Sequence, residues 1–106
     1  MPKYLVSASY TTEGAKGLIK DGGTKRVKVV TEALKGAGVT VEALYFALGQ
    51  QDAFIIADAP DNATIAAVAL ATNSSGAVHV STTALMTPAE MDAATKKSIN
   101  YTPPGK

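Results

Sequence analysis

Four short stretches of the chain have the apolar, aromatic and β-branched character of strands. They are residues 3–10, 39–48, 53–57 and 78–83. The two middle stretches are separated by only four residues, 49–52, and a link of that length predicts an antiparallel hairpin. The sequence therefore predicts a sheet in which at least these two strands are antiparallel neighbours.

The region between the first two strands has the apolar spacing of a helix over residues 15–37. Asp21, Gly22 and Gly23 interrupt that spacing, and two adjacent glycines destabilise a helix by about 2 kcal/mol relative to alanine. We expect a short helix, a break at the glycines, and a longer helix that starts near Thr24.

Two further helices are marked by their N-terminal residues. Asp61 follows a proline and is a suitable N-cap for a helix after the third strand. The segment 87–90, Thr-Pro-Ala-Glu, has a capping threonine, a proline at the first helical position and a glutamate at the third. This pattern is a capping box, and it predicts a helix over residues 88–98 followed by an extended tail over 100–106.

The order of the predicted elements is strand, helix, strand, strand, helix, strand and a last helix. A βαββαβ order is the split-βαβ, ferredoxin-like arrangement, in which helices cover one face of a four-stranded antiparallel sheet. We therefore predict an α+β fold, a ferredoxin-like sandwich with a C-terminal helix, formed by a single domain over residues 1–106. Chains of about 100–150 residues usually form one domain.

The predicted strands are apolar on both faces, whereas an exposed antiparallel sheet usually alternates apolar and polar residues. Strict alternation along residues 39–48 places Val39, Val41, Ala43, Tyr45 and Ala47 on one face and Thr40, Glu42, Leu44, Phe46 and Leu48 on the other. Two apolar faces indicate that both are covered. We expect a homo-oligomer, with a dimer as its expected form, in which a second copy packs sheet against sheet. The alternative cover is the last helix or the tail.

Composition and charge exclude several classes of function. Ten basic and nine acidic residues give a net charge of +1, which leaves no chain-wide basic surface for nucleic acid or an anionic membrane. The absence of cysteine excludes disulfides, iron–sulfur clusters and cysteine nucleophiles, and one histidine excludes a three-histidine metal site within one chain. We predict no cofactor and no metal. No apolar run approaches a membrane span of ~20 residues or forms a signal-peptide core, so a cytoplasmic location is expected.

Five residues are candidates for binding a small molecule: Tyr10, Lys16, Tyr45, Asp52 and His79. The tyrosines lie in predicted strands and either fill the core or line a pocket between sheet and helices. Asp52 ends the hairpin loop, where it either bonds to the backbone of the turn or acts as acid, base or ligand anchor. His79 is either a packing residue, a proton shuttle or an axial ligand of haem. Lys16 opens a basic segment that is either solvated or binds an anionic metabolite.

Motifs along nearly the whole chain resemble the GYD-domain family, a small family of mostly uncharacterised prokaryotic proteins. The matching residues are Tyr10-Thr11, Gly14, Lys16, Gly17, Arg26, Leu48-Gly49, Asp52, Ala59-Pro60-Asp61, Gly76, Thr87-Pro88 and Glu90. The glycine, tyrosine and aspartate that name the family stand here as Gly49, Gln51 and Asp52, with glutamine in place of the tyrosine. A function of that aromatic ring would be missing from this chain.

The resemblance implies a ferredoxin-like fold of the dimeric α+β barrel type. That broad group includes cofactor-free monooxygenases, haem-handling enzymes, isomerases and ligand-sensing modules, and fold alone does not choose among them. Because the sequence contains no catalytic constellation, the first hypothesis is a non-catalytic homo-oligomeric domain that binds a small molecule or has a structural role. The alternative is a cofactor-free oxygenase or isomerase with a pocket that contains Tyr10, Tyr45, Asp52 and His79.

Overall fold

The computed structural model describes residues 1–106 and contains one four-stranded sheet and four helices. In chain order the elements are β1 (Lys3–Tyr10), α1 (Thr12–Asp21), α2 (Gly23–Gly36), β2 (Thr40–Phe46), β3 (Ala53–Asp58), α3 (Asn62–Ser74), β4 (Val78–Leu85) and α4 (Pro88–Thr95). The strands lie in the order β2-β3-β1-β4, and every neighbouring pair is antiparallel. This arrangement confirms the predicted α+β, ferredoxin-like fold.

The first helical region is broken at Gly22, as predicted. Gly22 has a φ of 83°, a left-handed conformation that glycine adopts without a steric penalty, and its N–H donates to the carbonyl of Leu18 at 2.7 Å. The same residue precedes the first turn of α2. Helix α1 begins at Thr12, earlier than the apolar spacing indicated, because the Thr11 side chain caps it by accepting a hydrogen bond from Gly14 N.

The core lies between the sheet and the helices that cover one of its faces. Its main cluster consists of Tyr4, Val6, Val39, Ile55, Ala57, Ala59 and Ile65, and a smaller cluster contains Ala8, Ala53 and Val78. Helix α2 packs mainly against β2, and α3 packs mainly against β4. Since β1 and β3 are the two central strands, they lie beneath the space between these helices.

A β-bulge in β2 decides which of its side chains reach the core. The pairing of β2 with β3 shifts register between Val41 and Ala43, so Glu42 is an extra residue. Beyond it, Leu44 packs against the core on the same side as Val41, whereas Tyr45 faces the other way. The strict alternation expected along this strand is therefore wrong, because one inserted residue reverses the phase of all that follow.

The side of the sheet opposite the helices, called here the open face, carries an apolar patch that spans β1, β2 and β3. Leu5 of β1, Tyr45 of β2, and Phe54 and Ile56 of β3 share this face in two neighbouring rows of the sheet. Tyr45 is 74% exposed and Phe54 is 38% exposed. Two aromatic side chains therefore remain exposed on this face.

The C-terminal arm, residues 86–106, does not cover the open face, because every one of its residues is exposed. Its helix α4 begins with the predicted capping box: Thr87 Oγ1 accepts from Glu90 N at 3.1 Å, and Glu90 Oε1 accepts from Thr87 N at 2.9 Å. The helix ends at Thr95, before the predicted end, in a tighter turn in which Lys96 N and Lys97 N each bond three residues back. None of the four helices has the length and apolar character needed to cross a membrane.

Candidate functional site

An apolar cavity lies between the sheet and the helices α2 and α3. Its volume is about 170 Å³, and 17 of its 20 lining residues are hydrophobic. Ala8, Ala53 and Ala57 line it from the two central strands, where larger side chains would fill the space. The cavity therefore results from small residues on β1 and β3 together with helices that pack over the outer strands.

Two polar side chains bring buried atoms to this cavity without a hydrogen-bond partner in the protein. They are Arg26 Nε, from α2, and Thr82 Oγ1, from β4. A buried polar atom without a partner destabilises a fold by roughly 1–3 kcal/mol, and native structures retain few of them. The guanidinium N–H donates, while the threonine hydroxyl donates and accepts. Each can therefore bond to a polar atom of a molecule held in the cavity.

The break between α1 and α2 places Arg26 at the cavity. Arg26 N donates to the carbonyl of Gly22 at 3.2 Å, so its side chain leaves from the first turn of α2. Gly23 lies so close to Phe46 that a Cβ at this glycine would be 3.1 Å from the ring. This close approach holds the first turn of α2 against β2. The guanidinium carbon then lies 6.0 Å from the centroid of the Tyr10 ring, at the outer limit of a cation–π contact.

Tyr10 is the sequence candidate that lines the cavity, and Asp52 fixes its backbone. Asp52 Oδ2 accepts a hydrogen bond from Tyr10 N at 2.8 Å, and Asp52 N donates to the carbonyl of Ala8 at 2.8 Å. The carboxylate therefore ties the β2–β3 hairpin to the end of β1. Asp52 itself does not line the cavity.

The other three candidates lie away from the cavity. His79 is exposed on β4, where it is paired with Ser9 of β1. Tyr45 lies on the open face, and Lys16 is exposed on α1. Within one chain, therefore, the five candidates do not gather around a single cavity.

Sequence reasoning missed Arg26 and Thr82 as cavity residues. The sequence places Arg26 among the basic residues of a solvated helix, yet the spacing of its apolar neighbours indicates a position close to the core. Arg26 stands four residues before Val30 and eight before Leu34, which is the spacing of one helical face. An arginine in line with an apolar stripe indicates a guanidinium close to the core. Thr82 gave no comparable signal, because threonine is frequent in strands in many environments.

Comparison with known proteins gives one family. The family model of the GYD domain matches residues 4–95, a span that runs from β1 to the end of α4 and contains every residue of the cavity. Searches of the curated proteins and of the solved structures found no significant match. Within the matched span, Gln51 accepts a hydrogen bond from Ser9 Oγ at 3.5 Å in the hairpin and does not line the cavity.

Proposed function

The chain belongs to the GYD-domain family, and we propose that it is a homo-oligomeric, non-catalytic domain that binds a small molecule, with a dimer as the assembly. The observation that carries this proposal is the apolar cavity with two unpaired polar atoms, Arg26 Nε and Thr82 Oγ1. An apolar cavity that also holds a few convergent polar groups is the usual form of a small-molecule site.

The volume and chemistry of the cavity restrict the ligand. An apolar protein cavity of about 150 Å³ holds benzene, so about 170 Å³ suits a single ring or a short branched chain. The apolar walls favour a ligand that is mostly hydrocarbon. Arg26 favours a carboxylate or carbonyl oxygen, because its guanidinium is always charged and only donates hydrogen bonds. We therefore propose a small aromatic or branched aliphatic carboxylate, or a closely related carbonyl compound.

The titratable groups of the cavity favour binding over catalysis. Among the lining residues only Tyr10 and Arg26 are titratable, and no histidine, carboxylate or lysine is present. Arginine does not lose its proton in proteins, so it does not serve as a general base near neutral pH. The alternative, a cofactor-free oxygenase or isomerase, would have Tyr10 as its only proton-transfer group in this cavity.

The open face supports the oligomeric part of the proposal. Leu5, Tyr45, Phe54 and Ile56 form an aromatic and aliphatic patch. Tyr and Phe are enriched in interfaces, and the buried centre of an interface is more apolar than the rest of the surface. Two copies that pack open face against open face would form a two-fold symmetric interface, in which the same surface is used by both chains.

Ligand titration tests the binding site directly. We expect benzoate to shift the amide resonances of residues around the cavity, with Arg26 and Thr82 among them, in a ¹⁵N-labelled full-length protein. Arg26→Met should weaken benzoate binding at least about tenfold, since a charge-assisted hydrogen bond is lost, but should leave the binding of toluene nearly unchanged. Lys25→Met is the matched control, because Lys25 is exposed and does not line the cavity. Absence of any shift with benzoate and toluene would refute the site.

Native mass spectrometry tests the assembly and the natural ligand together. Untagged protein purified gently from its own host should appear as a dimer whose mass exceeds that of two chains by the mass of a bound small molecule. Tyr45→Lys should dissociate this dimer, whereas Ile19→Lys should not, because Ile19 is as exposed but lies on α1. A wild-type protein that is monomeric at all concentrations contradicts the assembly.

A further inference from the structure

The C-terminal arm makes no hydrogen bond or salt bridge to the body of its own chain. Four large apolar residues of the arm are more than half exposed: Met86, Met91, Ile99 and Tyr101. Its helix α4 has eight residues, whereas isolated helices below about 12–15 residues are marginal in water. The helix therefore has a well-specified start but no packing surface within its own chain to stabilise it.

The dimensions of the chain show how far it departs from a compact monomer. The radius of gyration is 17.0 Å, compared with about 13 Å for a compact chain of this length. The longest axis is 56 Å, against 32 and 23 Å for the other two. The exposed surface is 7441 Å², whereas a folded monomer of this mass exposes about 5,500 Å². Each chain thus exposes about 1,900 Å² more than a compact monomer would.

This excess of surface fits a second copy of the chain. Two copies that each bury the excess would together bury about 3,800 Å², within the range of about 2,000–5,000 Å² found in obligate homodimers. Each chain contains both the arm and the uncovered open face. In a dimer with a two-fold axis, the arm of each chain can therefore pack on the open face of the other. Exchange of an identical element between two copies is a low-cost route to a dimer.

The charges on the arm and on the rim of the open face are complementary. Lys3 Nζ lies 2.9 Å from Glu42 Oε1 and 3.0 Å from Asp58 Oδ1, which leaves a net charge of −1 on this three-residue cluster. The hydrogen bonds that Lys3 Nζ donates to Glu42 and to Asp58 raise the pKa of Lys3, with Glu42 as the larger cause, so this cation stays charged at neutral pH. Lys96 and Lys97, directly after α4, have no carboxylate partner in their own chain. Glu42 is exposed at the edge strand β2, where two such lysines can approach it.

We propose that two chains exchange their C-terminal arms, and that each arm lies along the β2 edge of its partner's open face. Met91 and Ile99 of the arm pack beside Tyr45 of the other copy, and Lys96 and Lys97 approach the acidic rim cluster. The arms thereby enclose the margins of the sheet-to-sheet interface. This inference rests on the dimer of the proposed function, and it assigns to the arm a role that the sheet alone does not require.

A spin label on the arm tests the contact in the full-length protein. The chain contains no cysteine, so Ser98→Cys provides a unique attachment site for a nitroxide. A spin-labelled chain without ¹⁵N is mixed with a ¹⁵N-labelled chain that has no spin label. Arm exchange predicts broadening of the Glu42 and Tyr45 amides in the ¹⁵N-labelled copy. In a second sample, the spin label and ¹⁵N are on the same chain. Broadening of these amides in this second sample alone, or in neither of the two samples, overturns the proposal.

A paired set of variants separates the arm from the sheet interface. Met91→Gln combined with Ile99→Gln removes apolar side chains from the arm without touching the sheet, and should raise the dimer dissociation constant at least about tenfold. Leu70→Gln, at an equally exposed apolar residue of α3, should leave that constant unchanged. If the wild-type protein is dimeric and the arm variant has the same dimer dissociation constant, arm exchange is overturned but the dimer of the proposed function is not. A wild-type protein that never dimerises overturns both the exchange and the dimer of the proposed function.

Discussion

Substitution of Gly14 by alanine is expected to destabilise the fold, although the residue lies in a helix, where alanine is normally favoured over glycine. A Cβ at Gly14 would lie 2.0 Å from the carbonyl oxygen of Ala77 and 3.1 Å from the Tyr10 ring. A carbon normally stays at least about 3.3 Å from such an oxygen. The first turn of α1 therefore has to move away from the loop before β4 by about 1 Å.

The magnitude follows from the contacts that this movement disturbs. Overpacking typically destabilises a protein by about 1–3 kcal/mol. The carbonyl of Ala77 also accepts hydrogen bonds from Thr11 N at 3.0 Å and from Thr11 Oγ1 at 3.1 Å, and each such bond contributes about 0.5–1.5 kcal/mol. Removal of a helical glycine returns about 1 kcal/mol. We expect a net loss of about 2–3 kcal/mol.

Thermal and urea unfolding of Gly14→Ala and Gly17→Ala, followed by circular dichroism, measures this effect against a matched control. Gly17 lies in the same helix, and no atom comes within 4 Å of a Cβ placed there. Gly17→Ala should therefore gain about 0.5–1 kcal/mol. At about 4–8 °C per kcal/mol, the melting temperature should fall by roughly 10 °C or more in the first variant and rise by a few degrees in the second. Two variants of equal stability would refute the close approach of α1 to Ala77 in the loop before β4.

Three further predictions follow from individual side chains. Thr82→Val removes a buried hydroxyl that has no partner and keeps the shape of the side chain. It should raise the unfolding free energy of the unliganded protein by about 1 kcal/mol and weaken benzoate binding. Urea unfolding measures the gain in stability, and benzoate titration of the same sample measures the loss of affinity. Asp52→Ala removes the acceptor of the Tyr10 N–H, so we expect a loss of about 1.5–3 kcal/mol and faster hydrogen exchange of that amide than in Gln51→Ala. The backbone N–H of Thr87 lowers the pKa of Glu90 below its ordinary 4.5. The capping contribution is therefore complete above pH 4.5 and is lost as the pH falls through the lowered value. The ¹³Cα shifts of α4 should follow this loss, and those of Glu90→Gln should not.

The elements that sequence reasoning predicted correctly are those specified by neighbouring residues. The capping box of α4 needs only residues 87–90, and the break between α1 and α2 needs only the paired glycines, so both could be identified without knowledge of the fold. The ferredoxin-like topology followed from the order of the elements.

The features that sequence reasoning missed depend on contacts between distant segments. The bulge at Glu42 exists only in the pairing of β2 with β3, so an isolated strand pattern does not reveal it. The cavity depends on the separation of α2 and α3 above the alanines of β1 and β3. The sequence therefore identified Tyr10 as a possible pocket residue but did not identify Thr82 on the neighbouring strand β4.

The bulge in β2 determines which of two aromatic rings lines the cavity and which lies on the outer surface. If β2 kept Glu42 but paired with β3 without a bulge, Tyr45 would turn toward the helices and Phe46 would turn outward. The two rings would then change places without any substitution. Deletion of Glu42, in contrast, would remove the bulge and leave both rings on their present faces. One extra residue therefore matches the sequence of β2 to the ligand site and to the assembly surface at the same time.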